Sequence, residues 1–221
     1  VVPAGAPSAC RRLATPLPIR TPGAPFRVAY FGQYIPLHGL DVVLDAAARL
    51  VHRADITFDL VGRGQRLPAT RARAAQLGLP NVRFDPEWVP IEDLVANRIA
   101  AADLCLGVFG AQPKADRVVP FKVYTSLAAG RPVVTAHTTA VRELLRPGTE
   151  VWTVPAADSD ALAAAIATLA DHPNLCASLA AAGQAAYDAR FAPPVLGRRL
   201  RESLEPMWAD RDLARPRAGR A

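Results

Sequence analysis

Six short apolar segments, each followed by a stretch with helical spacing, constrain the fold of this chain more than any other feature. Residues 26–32 read Phe-Arg-Val-Ala-Tyr-Phe-Gly, apolar without clean alternation and closed by glycine. Residues 56–62, also closed by glycine, and 81–84, 104–109, 132–135 and 151–154 read as further short strands. Helical spacing fills the intervals over 38–53, 67–77, 91–102, 119–129 and 142–145. In the first of these, Leu40, Val43, Leu44, Ala47, Leu50 and Val51 fall on one face. Gly130 stands where a helix-ending glycine belongs. Strands that lack in-and-out alternation and are separated by helices are buried on both faces. The pattern therefore predicts a doubly wound, Rossmann-like α/β domain over residues 26–190, with a six-stranded parallel sheet. Right-handed crossovers set the strand order as 3-2-1-4-5-6. In such a sheet a ligand binds at the carboxyl ends of the strands.

The ends of the chain read differently. Residues 1–25 hold six prolines, which block helix and central strand, so they are expected to form an extended linker or hinge. Beyond the last strand, helical patterns cover 161–170, 175–187 and 195–208. The stretch 191–209 reads as a separate C-terminal helix, and 210–221 as an Arg-rich tail that frays. Leu196, Leu200, Leu204, Met207 and Trp208 make an apolar stripe on that helix. No apolar run approaches the roughly 20 residues of a membrane span. The start has no basic and apolar leader pattern, so a cytoplasmic location is expected. The first residue is Val1 rather than Met, as in a fragment or a processed product.

Composition removes several classes. With 51% hydrophobic and 21% charged residues, the chain is not intrinsically disordered. Cys10, Cys105 and Cys176 are odd in number, far apart and without a CxxC pair, so no disulfide frame, redox pair or metal site is expected. The net charge is +6, and of 26 basic residues only Lys114 and Lys122 are lysines. Many of the arginines fall at solvent-facing helix positions. A nucleic-acid partner is not expected, because no stacking motif or nucleic-acid module accompanies the charge.

Few residues carry chemistry. Gly62-Arg63-Gly64 joins a strand to a helix and offers backbone N–H groups to an anion. Position 67 is Leu, so the dinucleotide fingerprint GxGxxG is incomplete. The turn from Gly32 and Gln33 to His38 and Gly39 lies at the carboxyl end of the first strand, and His38 is a phosphate donor when protonated. Lys122 stands near the start of a predicted helix, where a compact cation and the helix dipole suit a phosphate. Arg117 lies five residues earlier in the same loop. Trp88, flanked by Pro86 and Pro90, is placed to stack on a base or to pack under its loop.

Taken in order, these motifs resemble the C-terminal domain of GT-B glycosyltransferases of family 4. The carriers are Phe31-Gly32 through His38-Gly39, Leu60-Val61-Gly62-Arg63-Gly64, Asn81-Val82-Arg83-Phe84, Ala102-Asp103, and Ala128-Ala129-Gly130-Arg131-Pro132-Val133-Val134. The resemblance implies the nucleotide-sugar-binding half of a retaining enzyme that transfers a hexose-type sugar from a UDP- or GDP-type donor in glycan or polysaccharide biosynthesis. It implies no resident cofactor and no metal. It also implies an N-terminal acceptor-binding half outside this chain, peripheral membrane association, and a final helix that crosses back to that half. This chain alone is then expected to be inactive. The family carries Arg and Lys in the first turn, both gripping the diphosphate, where this chain has Gln33 and His38. It carries two glutamates where this chain has Arg117 and Thr125. Thr125 is then left to donate one hydrogen bond to a ribose. Arg117 and Lys122 are left to meet the diphosphate charge, and Trp88 to line the base. The alternative implied by these departures is a catalytically degenerate binding or scaffold domain.

Overall fold

The structure, a computed structural model, describes residues 3–18, 21, 23–87 and 89–213, the last seven of these by backbone alone. Six parallel strands form one sheet: β1 (Phe26–Phe31), β2 (Ile56–Val61), β3 (Val82–Asp85), β4 (Leu104–Leu106), β5 (Val133–Ala136) and β6 (Trp152–Val154). Their order is β3-β2-β1-β4-β5-β6, the order expected from the sequence. The order reverses between β1 and β4, where Val28 pairs with Leu104 and Ala29 with Cys105.

Successive residues of β1 point to opposite faces, and both faces are buried. Val28 and Tyr30 join a core formed with α2 (Leu40–Arg49) and α8 (Ser159–Asp171), through Leu44, Phe58, Ile166 and Leu169. Ala29 and Phe31 join a second core with α6 (Phe121–Ala128), through Cys105, Val123, Tyr124 and Leu127. This explains why the strands read as unbroken apolar runs. The further helices are α3 (Leu67–Gln76), α4 (Ile91–Asp93), α5 (Pro113–Asp116), α7 (Thr139–Leu144), α9 (Pro173–Arg190) and α10 (Pro193–Leu213). All three cysteines are buried, and none forms a disulfide. No described helix is long and apolar enough to cross a membrane.

Two expectations need correction. The segment 1–25 is not simply extended: Ser8–Arg12 forms a helix, α1, with Ala9 and Cys10 buried. Proline stops helices only where it stands, and residues 8–15 contain none. The helix expected over 91–102 is one α-turn followed by a π-helical stretch, Leu94–Ile99, with Ala100 N–H bonded five residues back to Val95 at 2.9 Å. Arg131, unlike the many arginines at solvent-facing positions, is fully buried. On α10, Leu200 is 48% exposed and Leu196 and Leu204 are half-buried. The side chains of Met207 and Trp208, and residues 214–221 of the tail, lie outside what is described.

Candidate functional site

The turns after β1 and β2 interlock through their backbones. Gly32 N–H donates to Val61 O at 3.0 Å, and Tyr34 N–H donates to Arg63 O at 2.9 Å. Gly62 has a φ of 127°, and a Cβ there would stand 2.1 Å from Gly32 O. Only glycine fits so close an approach in that conformation. After β1, a 3₁₀ turn over Pro36–His38 ends at Gly39, whose φ of 66° lets the chain enter α2.

Above these turns lies a cavity of about 490 Å³. The carboxyl ends of β1 and β2 form its floor, with Phe31, Gly32, Val61 and Gly62 at the surface. Glu87, Val89 and Leu94 form one wall; Pro120, Phe121 and Lys122, at the start of α6, form another. Pro7, from the lead-in, also lines it. This is the crevice expected of an open parallel sheet next to its point of strand reversal.

One buried cluster faces that cavity. The Tyr30 hydroxyl donates to Gln33 O at 2.7 Å and lies 2.7 Å from His38 Nδ1. His38 Nδ1 is 2.6 Å from Gln33 O. The carbonyl can only accept, so the proton of the ring is on Nδ1. Lys122 is 5% exposed, and its Nζ lies 3.3 Å from His38 Nδ1 and 4.1 Å from the Tyr30 ring centroid. Among the described residues it has no ion pair, and burial holds its pKa well below the usual 10.5. Burial first, and then the neighbouring Lys122, lowers His38 from 6.5 to about 4, with the Gln33 carbonyl opposing the shift. Burial also raises Tyr30 well above 10.

These shifts carry a sign. His38 takes up its proton near 6.5 when unfolded and only near 4 when folded, so stability falls as pH drops through that window. The loss attributable to His38 is about 1–3 kcal/mol, allowing for its partial exposure. Urea midpoints at pH 7 and pH 4.5 should show His38→Asn losing less stability on acidification than the parent, by about that amount. Equal losses would show that His38 titrates normally.

The structure brings together Gly32, Gln33, His38, Gly62 and Lys122 around one cavity. Gly39 lies behind them, against the Phe109–Gly110 backbone. Arg117 is not brought in: it is exposed at the end of α5, which is turned by the buried Ala115. The expected pairing of Arg117 with Lys122 against one anion is therefore not formed. Thr125 is not brought in either. It is fully buried, and its hydroxyl donates to Phe121 O at 3.1 Å. Trp88 lies outside the described residues. Tyr30 escaped the sequence reading. Its signal was a phenol in a buried strand, whose hydroxyl needs a partner.

Residues 25–172 match the family described as Glycosyl transferases group 1. The D-inositol 3-phosphate glycosyltransferase of Thermobispora bispora is 31% identical over 211 residues, which are 90% of this chain and 46% of that protein. The chain thus spans about half of that relative's length. Sucrose-phosphate synthase of Thermosynechococcus elongatus superposes with a TM-score of 0.76 at 19% identity, over 95% of this chain and 52% of that one. HepE of Anabaena, solved in complex with UDP and glucose, superposes with a TM-score of 0.70 at 24% identity, over 92% of this chain and 53% of that one. These likenesses establish the fold.

Proposed function

The chain belongs to the group 1 glycosyltransferases, and from that premise we propose that it is the C-terminal, nucleotide-sugar-binding half of a retaining enzyme that transfers a hexose-type sugar. The observation that carries this reading is the cavity at the strand carboxyl ends with, in its wall, a buried lysine that has no ion pair among the described residues. A nucleoside diphosphate offers the charge that Lys122 lacks. The amine would bind the diphosphate, helped by the free N–H groups at the start of α6. The same contacts would stabilise the charge that develops on the leaving nucleoside diphosphate. Apolar Val89, Leu94 and Phe121 leave the rest of the cavity to the base and ribose. The donor is a substrate of UDP or GDP type, and the reading calls for no resident cofactor. An acceptor-binding half outside this chain completes the cleft, so the isolated chain transfers no sugar. The half-exposed leucine stripe on α10 supports such a partner.

A second reading, a degenerate binding or scaffold domain, is favoured by the surface position of Arg117 and the burial of Thr125. Calorimetric titration of UDP, GDP and single-stranded DNA separates the two. Saturable binding of one nucleotide, with no DNA binding, is expected. If neither nucleotide binds, the donor-half reading is lost and the scaffold reading takes its place.

A further inference from the structure

We propose that Lys122 rests as a neutral amine beside His38 and Tyr30, and that an anion entering the cavity brings a proton from solvent onto it. The inference rests on the nucleotide-binding reading above and adds a regulation to it, by pH. The argument begins with hydrogen-bond directions. His38 Nδ1 carries its proton toward Gln33 O, at 2.6 Å. The Tyr30 hydroxyl spends its proton on the same carbonyl, at 2.7 Å. Lys122 Nζ, 3.3 Å from Nδ1, therefore meets a ring nitrogen that offers it no lone pair. An ammonium has only donors and finds no acceptor in that ring nitrogen, whose N–H is held by the Gln33 carbonyl; a neutral amine needs none there. The Tyr30 ring face accepts an N–H from either form.

Among the described residues the surroundings supply no counter-charge. Facing the amine from β1 are Tyr30, whose ionisation is suppressed by burial, and His38, neutral at pH 7. The loop after β2 contributes Arg63 to the cavity and the loop after β3 contributes Glu87. Arg63 is itself a cation, and among the described residues Glu87 makes no ion pair with Lys122. On α5, which packs against the 36–38 turn, Lys114, Asp116 and Arg117 are exposed. Gly32 leaves space beside the amine: a Cβ there would stand 3.3 Å from Nζ. A diphosphate in the cavity would supply the missing negative charge. The lone pair on Nζ then takes a proton from bulk water, and the charged pair forms in place of two separately unfavourable states.

The measurement is proton uptake on nucleotide binding, by calorimetry at pH 8 in Tris and in HEPES. A terminal phosphate has its second pKa near about 6, so at pH 8 UDP and GDP are fully ionised and take up nothing themselves. The parent is expected to take up about one proton per nucleotide, and its affinity to fall by roughly tenfold per pH unit above 8. Lys122→Arg cannot lose its proton and should bind without uptake. Should that larger side chain prevent folding, the parent in the two buffers decides alone, and His38→Asn checks that uptake does not originate on the imidazole. Nucleotide binding with equal heats in both buffers would overturn this inference and leave the binding reading intact. No binding of either nucleotide would overturn both.

Discussion

Arg131→Ala is expected to destabilise the domain by about 3–5 kcal/mol, a large part of the roughly 5–15 kcal/mol that holds a domain folded. Arg131 is fully buried, and its partners are all neutral. Nε donates to Ile99 O at 2.9 Å, and Nη2 to Ala100 O at 2.9 Å. Both terminal nitrogens reach the lead-in: Nη1 to Thr15 O at 2.9 Å, and Nη2 to the Thr15 hydroxyl at 2.6 Å and Pro16 O at 3.2 Å. One planar side chain thus ties the end of the π-helical stretch to the segment after α1. Alanine leaves those acceptors unpaired and opens a void. Lysine is a point charge and would satisfy only some of them, so Arg131→Lys should restore less than half of the loss. Denaturant unfolding gives the magnitude, and limited proteolysis should show cleavage between residues 13 and 18. A loss below about 1 kcal/mol would mean that water replaces the guanidinium.

Lys122→Met should do the opposite to stability while removing binding. A buried amine without a charged partner is a cost to the fold, and a thioether of similar length fills the same space. The expected gain is about 1–3 kcal/mol at pH 7. Its pH dependence has a definite sign. Burial holds the folded lysine well below 10.5, so between those values the unfolded chain binds more protons than the folded one. The penalty therefore shrinks as pH rises toward 10.5, and the gain from methionine shrinks with it. Loss of the charge-assisted contact should weaken nucleoside-diphosphate binding by about 1.5–3 kcal/mol, or roughly 10- to 150-fold. A variant that is both less stable and equally good at binding would remove Lys122 from the site.

The strand order and the edge of the sheet that holds the cavity were legible in the sequence. Both follow from simple regularities: the period of apolar residues along each segment, and a crossover handedness that leaves few orders for six alternating units. The turns carrying Gly32 and Gly62 were legible for the same reason, since a glycine closing a buried strand marks a close backbone approach. The choice among polar residues was not legible. Arg117, Lys122 and Thr125 lie within nine positions of one another, yet only Lys122 lines the cavity. Helical phase and the packing of a distant segment decide this. Lys122 sits in the first turn of α6, whose side chains reach past the helix start to the end of β1. Thr125, one turn further on, lies under α1, where the Cys10 thiol meets it. Arg117 follows a four-residue helix whose buried Ala115 turns it outward. That α1 forms at all, and that Arg131 anchors the chain beyond it from 115 residues away, depends on contacts between segments remote in sequence. Sequence periodicity records which face of an element is apolar. Which buried polar group meets which partner is decided only when the elements pack, because the cost of burying it unpaired is paid in three dimensions.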